Sequence, residues 1–256
     1  MNKFMRSTAC VFLIICFFSL SISAESNGEF SWYCKRNTQH LQPEIDSEMR
    51  FIEEYNGHYV DKEVTKRGEK VIYLTFDLGY ENGNVGKIVD ILAEEKVQGS
   101  FFILENVLLK NTDLIKRMVD KGHLVCNHTA SHRDTSKMTF DEFKNELESM
   151  ENLFKEKIGR EMPKYFRPPE GRFSRDSMRY AFELGYKTVF WSFAYADWDN
   201  NNQMSYEKAM QKVMSNTHNG AIMLFHPTSE TNVKILRDVI KELKSQGYSF
   251  KTLESL

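Results

Sequence analysis

Two histidines stand four residues apart in His128-Thr-Ala-Ser-His132, directly after a short apolar run. On a helical turn, residues i and i+4 share one face, so this spacing predicts that both imidazoles reach a single point. Neutral imidazole is a common protein ligand of Zn²⁺. Because a histidine pair of this spacing is more often surface or packing chemistry, the metal interpretation depends on the other polar residues of the chain.

Further candidates for chemistry follow other apolar runs. A mononuclear zinc hydrolase needs two or three protein ligands, an open position for water, a base and an acid. Asp77 is the candidate base, and His226, in Leu224-Phe-His226-Pro, is a candidate polar residue at the end of a later run. Burying the Asp77 carboxylate without a partner would cost free energy, and the positive charge of Arg167 could balance it. The Pro-Pro pair that follows Arg167 stiffens the backbone that would position this side chain.

Each of these residues also has an ordinary structural interpretation. An Asp after a strand can be a turn or helix cap, an Arg-Pro-Pro run can be a surface loop, and a His in an apolar run can be a core residue. These interpretations lose weight when all the residues are expected at one mouth of one fold.

The apolar pattern from Lys70 onward alternates between short continuous runs and amphipathic stretches, which predicts a parallel sheet covered by helices, an α/β fold. The runs predict strands at 71–76, 100–104, 123–127, 186–191, 221–225 and 248–252. The stretches predict helices at 85–95, 111–121, 174–185, 205–215 and 232–246, and one that begins at the capping box Thr139-Phe-Asp-Glu142 and ends at Gly159. In such folds the chemistry lies at the carboxyl ends of the strands, where every candidate stands.

The chain divides into three parts by composition. Residues 1–24 have a basic start, a short apolar stretch and small residues before a polar segment, which is typical of a signal peptide or an uncleaved membrane anchor. Either would export the folded part across the cytoplasmic membrane, as a secreted or membrane-anchored protein. Residues 25–69 form an irregular, aromatic-rich N-terminal extension expected to pack on the main domain, and residues 70–256 form the catalytic domain.

Charge and cysteine content exclude some classes of protein. The formal net charge of -2 gives no reason to expect a nucleic acid partner. Cys34 and Cys126 lie outside the signal, and a disulfide between them is permitted by the compartment, although Cys126 lies in an apolar run typical of a buried residue. No protein partner is indicated, and we expect a monomer.

Five short motifs stand in the order of those of the polysaccharide deacetylases, carbohydrate esterase family four, which the chain resembles over about residues 70–253. They are Thr75-Phe-Asp-Leu-Gly79, His128-Thr-Ala-Ser-His132, Arg167-Pro-Pro-Glu-Gly171, Trp191 through Asp197-Trp198, and Leu224-Phe-His226. The resemblance implies a distorted (β/α) barrel with fewer than eight repeats, a divalent metal, usually zinc, and hydrolysis of N-acetyl groups on sugars.

The resemblance also implies a role for each matching residue. Asp77 matches the base that activates water, with Arg167 orienting it, and His226 matches the acid that protonates the departing amine. His128 and His132 match the metal ligands.

Two aromatic residues complete the implied site. A backbone amide near Tyr80 would help to hold the oxyanion, and Trp198 would wall the sugar site, with a plain core aromatic as the alternative for Trp198.

Two positions depart from the family's pattern. Leu78 stands where a second Asp usually ligates the metal, which leaves the third ligand position to Asp77, water or substrate. Ala194 stands where an Asp usually supports the acid, and Asp197, which we place among the substrate-binding residues, is a carboxylate that could substitute. If Asp77 ligates the metal, Glu170 or Glu81 would have to take the proton.

A closer resemblance concerns the substrate. Gly79-Tyr-Glu-Asn-Gly83, Phe30-Ser-Trp-Tyr33 and Tyr55-Asn-Gly57 are similar to segments of the de-N-acetylases that prepare muramic δ-lactam in spore cortex peptidoglycan. This implies a peptidoglycan glycan strand as partner, N-acetylmuramic acid as target, and a location at the cell wall or spore cortex. The alternatives are a deacetylase of N-acetylglucosamine polymers or acetylated xylan, and a catalytically impaired glycan-binding homologue because of Leu78.

Overall fold

The computed structural model describes residues 27–256, so the predicted signal or anchor at residues 1–24 lies outside the described residues. The strands are β1 Phe30–Ser31, β2 Gly57–His58, β3 Val71–Leu78, β4 Ser100–Ile103, β5 Leu124–Asn127, β6 Tyr165–Phe166, β7 Arg172–Phe173, β8 Lys187–Val189, β9 Ala221–Phe225 and β10 Ser249–Phe250. The helices are α1 Val64–Arg67, α2 Val85–Glu94, α3 Glu105–Lys110, α4 Thr112–Asp120, α5 Phe140–Ile158, α6 Arg175–Glu183, α7 Tyr206–Asn216 and α8 Glu230–Ser245. Within residues 27–256, no helix combines the length and apolar character needed to cross a membrane.

The main sheet is parallel and curls into a barrel. Its strands follow the order β10-β3-β4-β5-β6-β8-β2, and β9 also pairs with β3. The backbone N–H of Ser192 donates to the Ile222 carbonyl at 2.9 Å, and that of Leu224 donates to the Phe193 carbonyl at 2.8 Å, which brings the chain after β8 beside β9. This is the distorted (β/α) barrel with fewer than eight repeats that the sequence predicted.

Strand β3 shows how the sequence places apolar and polar groups on opposite faces. Leu74, Phe76 and Leu78 belong to the apolar cluster that includes residues of α2 and α8. Tyr73 belongs to a second cluster, inside the barrel. Because side chains alternate along a strand, Asp77 shares the interior face with Tyr73.

The N-terminal segment 27–69 packs on the barrel through aromatic residues. The Trp32 ring stacks on Phe190 with centroids 4.4 Å apart, and its Nε1–H donates to the Trp191 carbonyl at 2.9 Å. Within this extension, expected to be irregular, two short strands form: β1 pairs with β7, and β2 pairs in parallel with β8. A two-residue strand is too short to show an alternating pattern, so these strands could not be predicted from periodicity.

Local signals placed most helix ends well. The capping box forms at α5, where the Thr139 N–H donates to the Glu142 carboxylate at 2.9 Å, and Gly159 ends the helix with φ 78°. The helix predicted at 111–121 is only the second of two, because Asn111, with φ -133°, separates α4 from α3. Cys34 and Cys126 are both free thiols, and Cys126 is buried as its apolar surroundings indicated.

Candidate active site

A cavity of about 550 Å³ opens at the carboxyl ends of the barrel strands. Six of the eight residues singled out from the sequence line it, namely Asp77, Tyr80, His128, His132, Trp198 and His226. The other two, Arg167 and Asp197, are 0% and 1% exposed and lie behind lining residues. The strand-end argument therefore brings all eight residues to one place.

Arg167 holds the Asp77 carboxylate from inside the barrel. Its Nη1 donates to Asp77 Oδ1 at 2.7 Å, and its Nη2 donates to Thr75 Oγ1 at 2.9 Å. Its Nε donates to the Val189 carbonyl at 3.0 Å, so the guanidinium spans β6, β3 and β8. Burial alone would raise the pKa of Asp77, but the charge of Arg167 above all outweighs it and holds the pKa below the usual carboxyl value. The carboxylate is therefore ionised at neutral pH.

The two histidines lie on a loop rather than a helical turn, which corrects the geometry expected from their spacing. Thr129 and His132 have left-handed backbones, with φ 73° and 58°. The Thr129 N–H donates to Asn127 Oδ1, and the His132 N–H donates to Thr129 Oγ1, both at 2.9 Å. These bonds fold the loop so that the rings of His128 and His132 still meet, with centroids 5.1 Å apart.

The chemistry of His128 suits a metal ligand. Its Nδ1 lies 2.9 Å from the Arg167 carbonyl oxygen, which can only accept, so Nδ1 carries the proton and Nε2 presents its lone pair. Nε2 lies 3.8 Å from Asp77 Oδ2. Burial lowers the pKa of His128 to about 4, which keeps the ring neutral at physiological pH.

The side chains of His128 and His132 could supply part, but not all, of the coordination shell of a divalent metal. In the part of the chain that the structure describes, no group of three His, Cys, Asp or Glu side chains forms a ready ligand set. Leu78 is fully buried in the helix-facing cluster and supplies no oxygen. His128 and His132 would hold the ion, with remaining positions left to Asp77, water or substrate.

We expect loss of zinc binding when His132 is replaced by Ala, because a single imidazole is too few ligands for a stable site. Zinc bound per chain after equilibrium dialysis, measured by elemental analysis, should fall from about one to background. His40→Gln is the matched control, since His40 contacts Thr217 outside the cavity. Equal zinc content in wild type and His132→Ala would contradict the assignment.

His226 stands in a buried hydrogen-bond network built on Asp197. Its Nδ1 lies 2.7 Å from Asp197 Oδ1, and its backbone N–H donates to Asp197 Oδ2 at 2.8 Å. Asn232, on α8, donates from Nδ2 to Asp197 Oδ2 at 2.6 Å and to the His226 carbonyl at 3.0 Å, and the Tyr195 hydroxyl donates to Asn232 Oδ1. The expectation that Asp197 lines the substrate site was wrong. Asp197 instead supports His226 through hydrogen bonds. This is the support that the family's usual Asp gives, and Ala194, which stands at that position here, has no carboxylate to provide it.

The pKa of His226 reflects this support. Burial by itself would lower it, but the hydrogen bond and charge of Asp197, together with the charge of Asp77, raise the pKa above the usual imidazole value. A protonated His226 therefore persists to higher pH than a free imidazole would, with Nδ1 on Asp197 and Nε2 left to act as an acid.

Asp197→Asn is expected to move the alkaline limb of the kcat–pH profile to lower pH. An acid must be protonated, so activity is present below the folded pKa of His226 and is lost as pH rises through it. Without the carboxylate, the lowering by burial dominates, and the limb shifts in the acid direction. The profile of acetate release for wild type and variant measures this, and an alkaline limb at unchanged pH would show that His226 is not the acid.

Tyr80 and Trp198 form the rim of the cavity. Trp198 is 60% exposed, with its ring 6.3 Å from that of His226, so it is a surface aromatic suited to stacking on a sugar rather than a core residue. Tyr80 is 48% exposed, and its hydroxyl accepts from Asn200 Nδ2 at 2.5 Å. This bond ties the loop after β3 to the loop after β8 over the cavity.

The two alternative proton acceptors differ in position. Glu81 is occupied at the start of α2, where its carboxylate accepts from the N–H groups of Gly83 and Val85, both at 3.0 Å. Glu170 lines the cavity with a left-handed backbone, φ 55°, and its carboxylate lies 3.1 Å from Arg172 Nε. Neither carboxylate contacts Asp77 or His128.

Two residues of the site were not found from the sequence. Thr75 is the first residue of the motif that contains Asp77, but its residue type did not indicate a role. Its hydroxyl accepts from Arg167 Nη2 at 2.9 Å and donates to the Met223 carbonyl at 2.8 Å. Asn232 follows the cap residue Ser229 by three positions, where it looks like part of a helix start. Only the packing of α8 against the loop after β9 reveals its contact with Asp197.

Comparison with known proteins identifies the family of this chain. Residues 65–189 match the family model described as polysaccharide deacetylase. The peptidoglycan-N-acetylmuramic acid deacetylase PdaA of Bacillus subtilis is 38% identical over 255 residues, 99% of this chain and 95% of that relative. The chain therefore belongs to the polysaccharide deacetylase family.

Solved structures agree with this assignment. The structure of Bacillus subtilis PdaA, a family 4 carbohydrate esterase, superposes with a TM-score of 0.85 over 90% of this chain and 97% of that one. A family 4 carbohydrate esterase from Bacillus anthracis, 33% identical, gives a TM-score of 0.74 over 90% and 97% of the two chains. Among sequence relatives named for another substrate, a peptidoglycan-N-acetylglucosamine deacetylase of Bacillus cereus is 31% identical over 189 residues, 72% of this chain and 67% of that relative.

Proposed function

We propose that this protein removes the N-acetyl group of N-acetylmuramic acid residues in peptidoglycan. The observation that carries the proposal is the similarity to PdaA over nearly the whole chain, N-terminal segment included. The similarity to the N-acetylglucosamine deacetylase of Bacillus cereus covers a smaller share of the chain. An export signal at residues 1–24 would deliver the domain to the side of the membrane where peptidoglycan lies.

The reaction divides between Asp77 and His226. Asp77 takes a proton from the attacking water through Oδ2, the oxygen not bonded to Arg167 Nη1, while the water oxygen adds to the acetyl carbonyl carbon. His226 then delivers the proton on Nε2 to the amide nitrogen as the carbon–nitrogen bond breaks, which yields acetate and a free amine. A bound divalent cation would supply a Lewis acid that polarises the acetyl carbonyl and lowers the pKa of water.

The rest of the site positions the substrate. Trp198 offers a flat face for the sugar ring, and the backbone amide near Tyr80 would donate to the oxyanion. The amine product of a muramic residue lies next to its lactyl carboxylate, the two groups that a δ-lactam joins. This chemistry suits a role in preparing muramic δ-lactam of the spore cortex.

The test is acetate release by purified protein, supplied with zinc, from glycan strands stripped of peptide. Mass spectrometry of the products should place the lost acetyl group on muramic rings. Loss from glucosamine rings would redirect the assignment to the N-acetylglucosamine deacetylases, and acetate release from acetylated xylan alone would redirect it to that polymer.

A second candidate is a glycan-binding homologue without activity, which Leu78 favours because it removes a ligand position. Binding of glycan chains with no acetate release across several divalent metals would support it and contradict the first proposal.

A further inference from the structure

Arg36 is a cation beside the active-site cavity that no carboxylate neutralises within residues 27–256. Its Nη1 donates to the carbonyl oxygen of Ala194 at 2.8 Å, and Ala194 lines the cavity. That bond uses one of the five N–H donors of the guanidinium. The adjacent Lys35, by contrast, is paired with Asp46.

Two other arginines near the cavity have acidic partners. The charge of Arg167 is balanced by Asp77 at 2.7 Å. Arg172 lies 3.1 Å from Glu170 and 3.4 Å from Asp134. Among these three arginines, Arg36 is the one that has no carboxylate partner in the described part of the chain, and it is bonded to a residue of the cavity lining.

The segment that carries Arg36 is fixed against the barrel. Trp32 is stacked on Phe190, and the Cys34 thiol lies 3.4 Å from the Ser192 carbonyl oxygen. The Lys35 N–H donates to the Glu44 carbonyl at 2.8 Å. Because the residues that precede Arg36 are held in this way, and its guanidinium is bonded to Ala194, the fold sets its position next to the cavity lining.

The substrate chemistry supplies the missing anion. N-acetylmuramic acid differs from N-acetylglucosamine by a lactyl ether on the carbon next to the acetamido group, and without its peptide this ether ends in a carboxylate. A guanidinium is well matched to a carboxylate, which it can bind through two parallel hydrogen bonds.

We propose that Arg36 binds the lactyl carboxylate of the muramic residue whose acetyl group is removed, and so is a specificity-determining residue. The inference rests on the proposed function and deepens it. The family-wide match begins at residue 65, after Arg36, whereas the match to the muramic acid deacetylase covers 99% of the chain. Arg36 therefore lies in a segment that the muramic acid deacetylase matches and that precedes the part of the chain matched by the family model.

The experiment compares two substrates and two variants. One substrate is a peptide-free glycan oligomer with free lactyl carboxylates, and the other is the same oligomer with those carboxylates converted to amides. Arg36→Gln should lower kcat/KM for the carboxylate oligomer about 10- to 100-fold, mainly through KM, as expected for a lost hydrogen bond to a charged group. It should leave kcat/KM for the amidated oligomer at the wild-type value.

Lys35→Gln is the matched control, since it removes a neighbouring charge that is already paired, and both oligomers should be processed as by wild type. Thermal unfolding of both variants checks the fold. An equal loss on the two oligomers, or no loss on the carboxylate oligomer, would overturn the role of Arg36 and leave the proposed function standing.

A binding measurement separates the two hypotheses when turnover fails. Calorimetry with Asp77→Asn as the background should show weaker binding of the carboxylate oligomer after Arg36→Gln and unchanged binding of the amidated one. If wild type releases no acetate but Arg36→Gln still weakens only the binding of the carboxylate oligomer, the proposed reaction is rejected. The assignment of Arg36 as the binding site of the lactyl carboxylate then stands.

Discussion

Asp77→Asn is expected to lower kcat for acetate release by about 10²- to 10⁴-fold, the usual contribution of a general base. In the wild-type protein, Arg167 Nη1 donates to Asp77 Oδ1 at 2.7 Å. The amide oxygen of the asparagine can accept the same hydrogen bond, so the fold should persist. An amide cannot take the proton of the attacking water. Initial rates of acetate release and the thermal unfolding midpoint, measured on the same preparation, separate the two effects.

Glu170→Gln is the matched control for this loss of charge. Glu170 also lines the cavity, but its carboxylate is held by Arg172 and does not contact the Asp77 pair. We expect activity within a few-fold of wild type. The opposite pattern, with activity retained by Asp77→Asn and lost by Glu170→Gln, would transfer the role of base to Glu170.

Arg167→Met is expected to lower the free energy of unfolding by about 3–5 kcal/mol, the range for a broken buried ion pair. The side chain is fully buried and donates to Asp77, Thr75 and the Val189 and Phe190 carbonyls. Methionine fills part of the volume and satisfies none of these acceptors. Urea unfolding followed by circular dichroism measures the change.

Two further variants show whether the stability change comes from the stranded carboxylate. Arg179→Met removes an exposed arginine that is paired with Asp176 and Glu183, and we expect only a small effect because such surface pairs are screened by water. Arg167→Met combined with Asp77→Asn should recover part of the lost stability, since the buried charge is gone. Additive losses would mean that packing, rather than charge, accounts for the role of Arg167.

The sequence was sufficient to predict that the candidate catalytic residues lie close together. Asp77 is the penultimate residue of β3, and His128 and His226 directly follow β5 and β9. Parallel strands of one sheet end at one edge, so the meeting of these residues follows from topology alone. The cost of an isolated buried carboxylate likewise pointed to Arg167 as its partner.

What the sequence could not supply was loop geometry. His128 and His132 meet through left-handed residues and side-chain bonds to Asn127 and Thr129, not through a helical repeat. The role of Asp197 could not be distinguished from substrate contact, because only the packing of α8, with Asn232, shows that the carboxylate faces inward. The contact between Arg36 and Ala194 joins residues far apart in sequence and leaves no periodic signal.

The pairing of β2 with β8 has a consequence for how the chain reaches this fold. Gly57 and His58 pair with Thr188 and Val189, which lie 131 residues further along the chain, about half of its length. Contacts of such long sequence separation slow folding because a large loop must close before they form. Until then the aromatic residues of the N-terminal segment lack their barrel partners, Phe173 and Phe190 among them. Folding should therefore be slow relative to that of helical proteins of this length, and a chain truncated before β8 should expose an aggregation-prone aromatic surface.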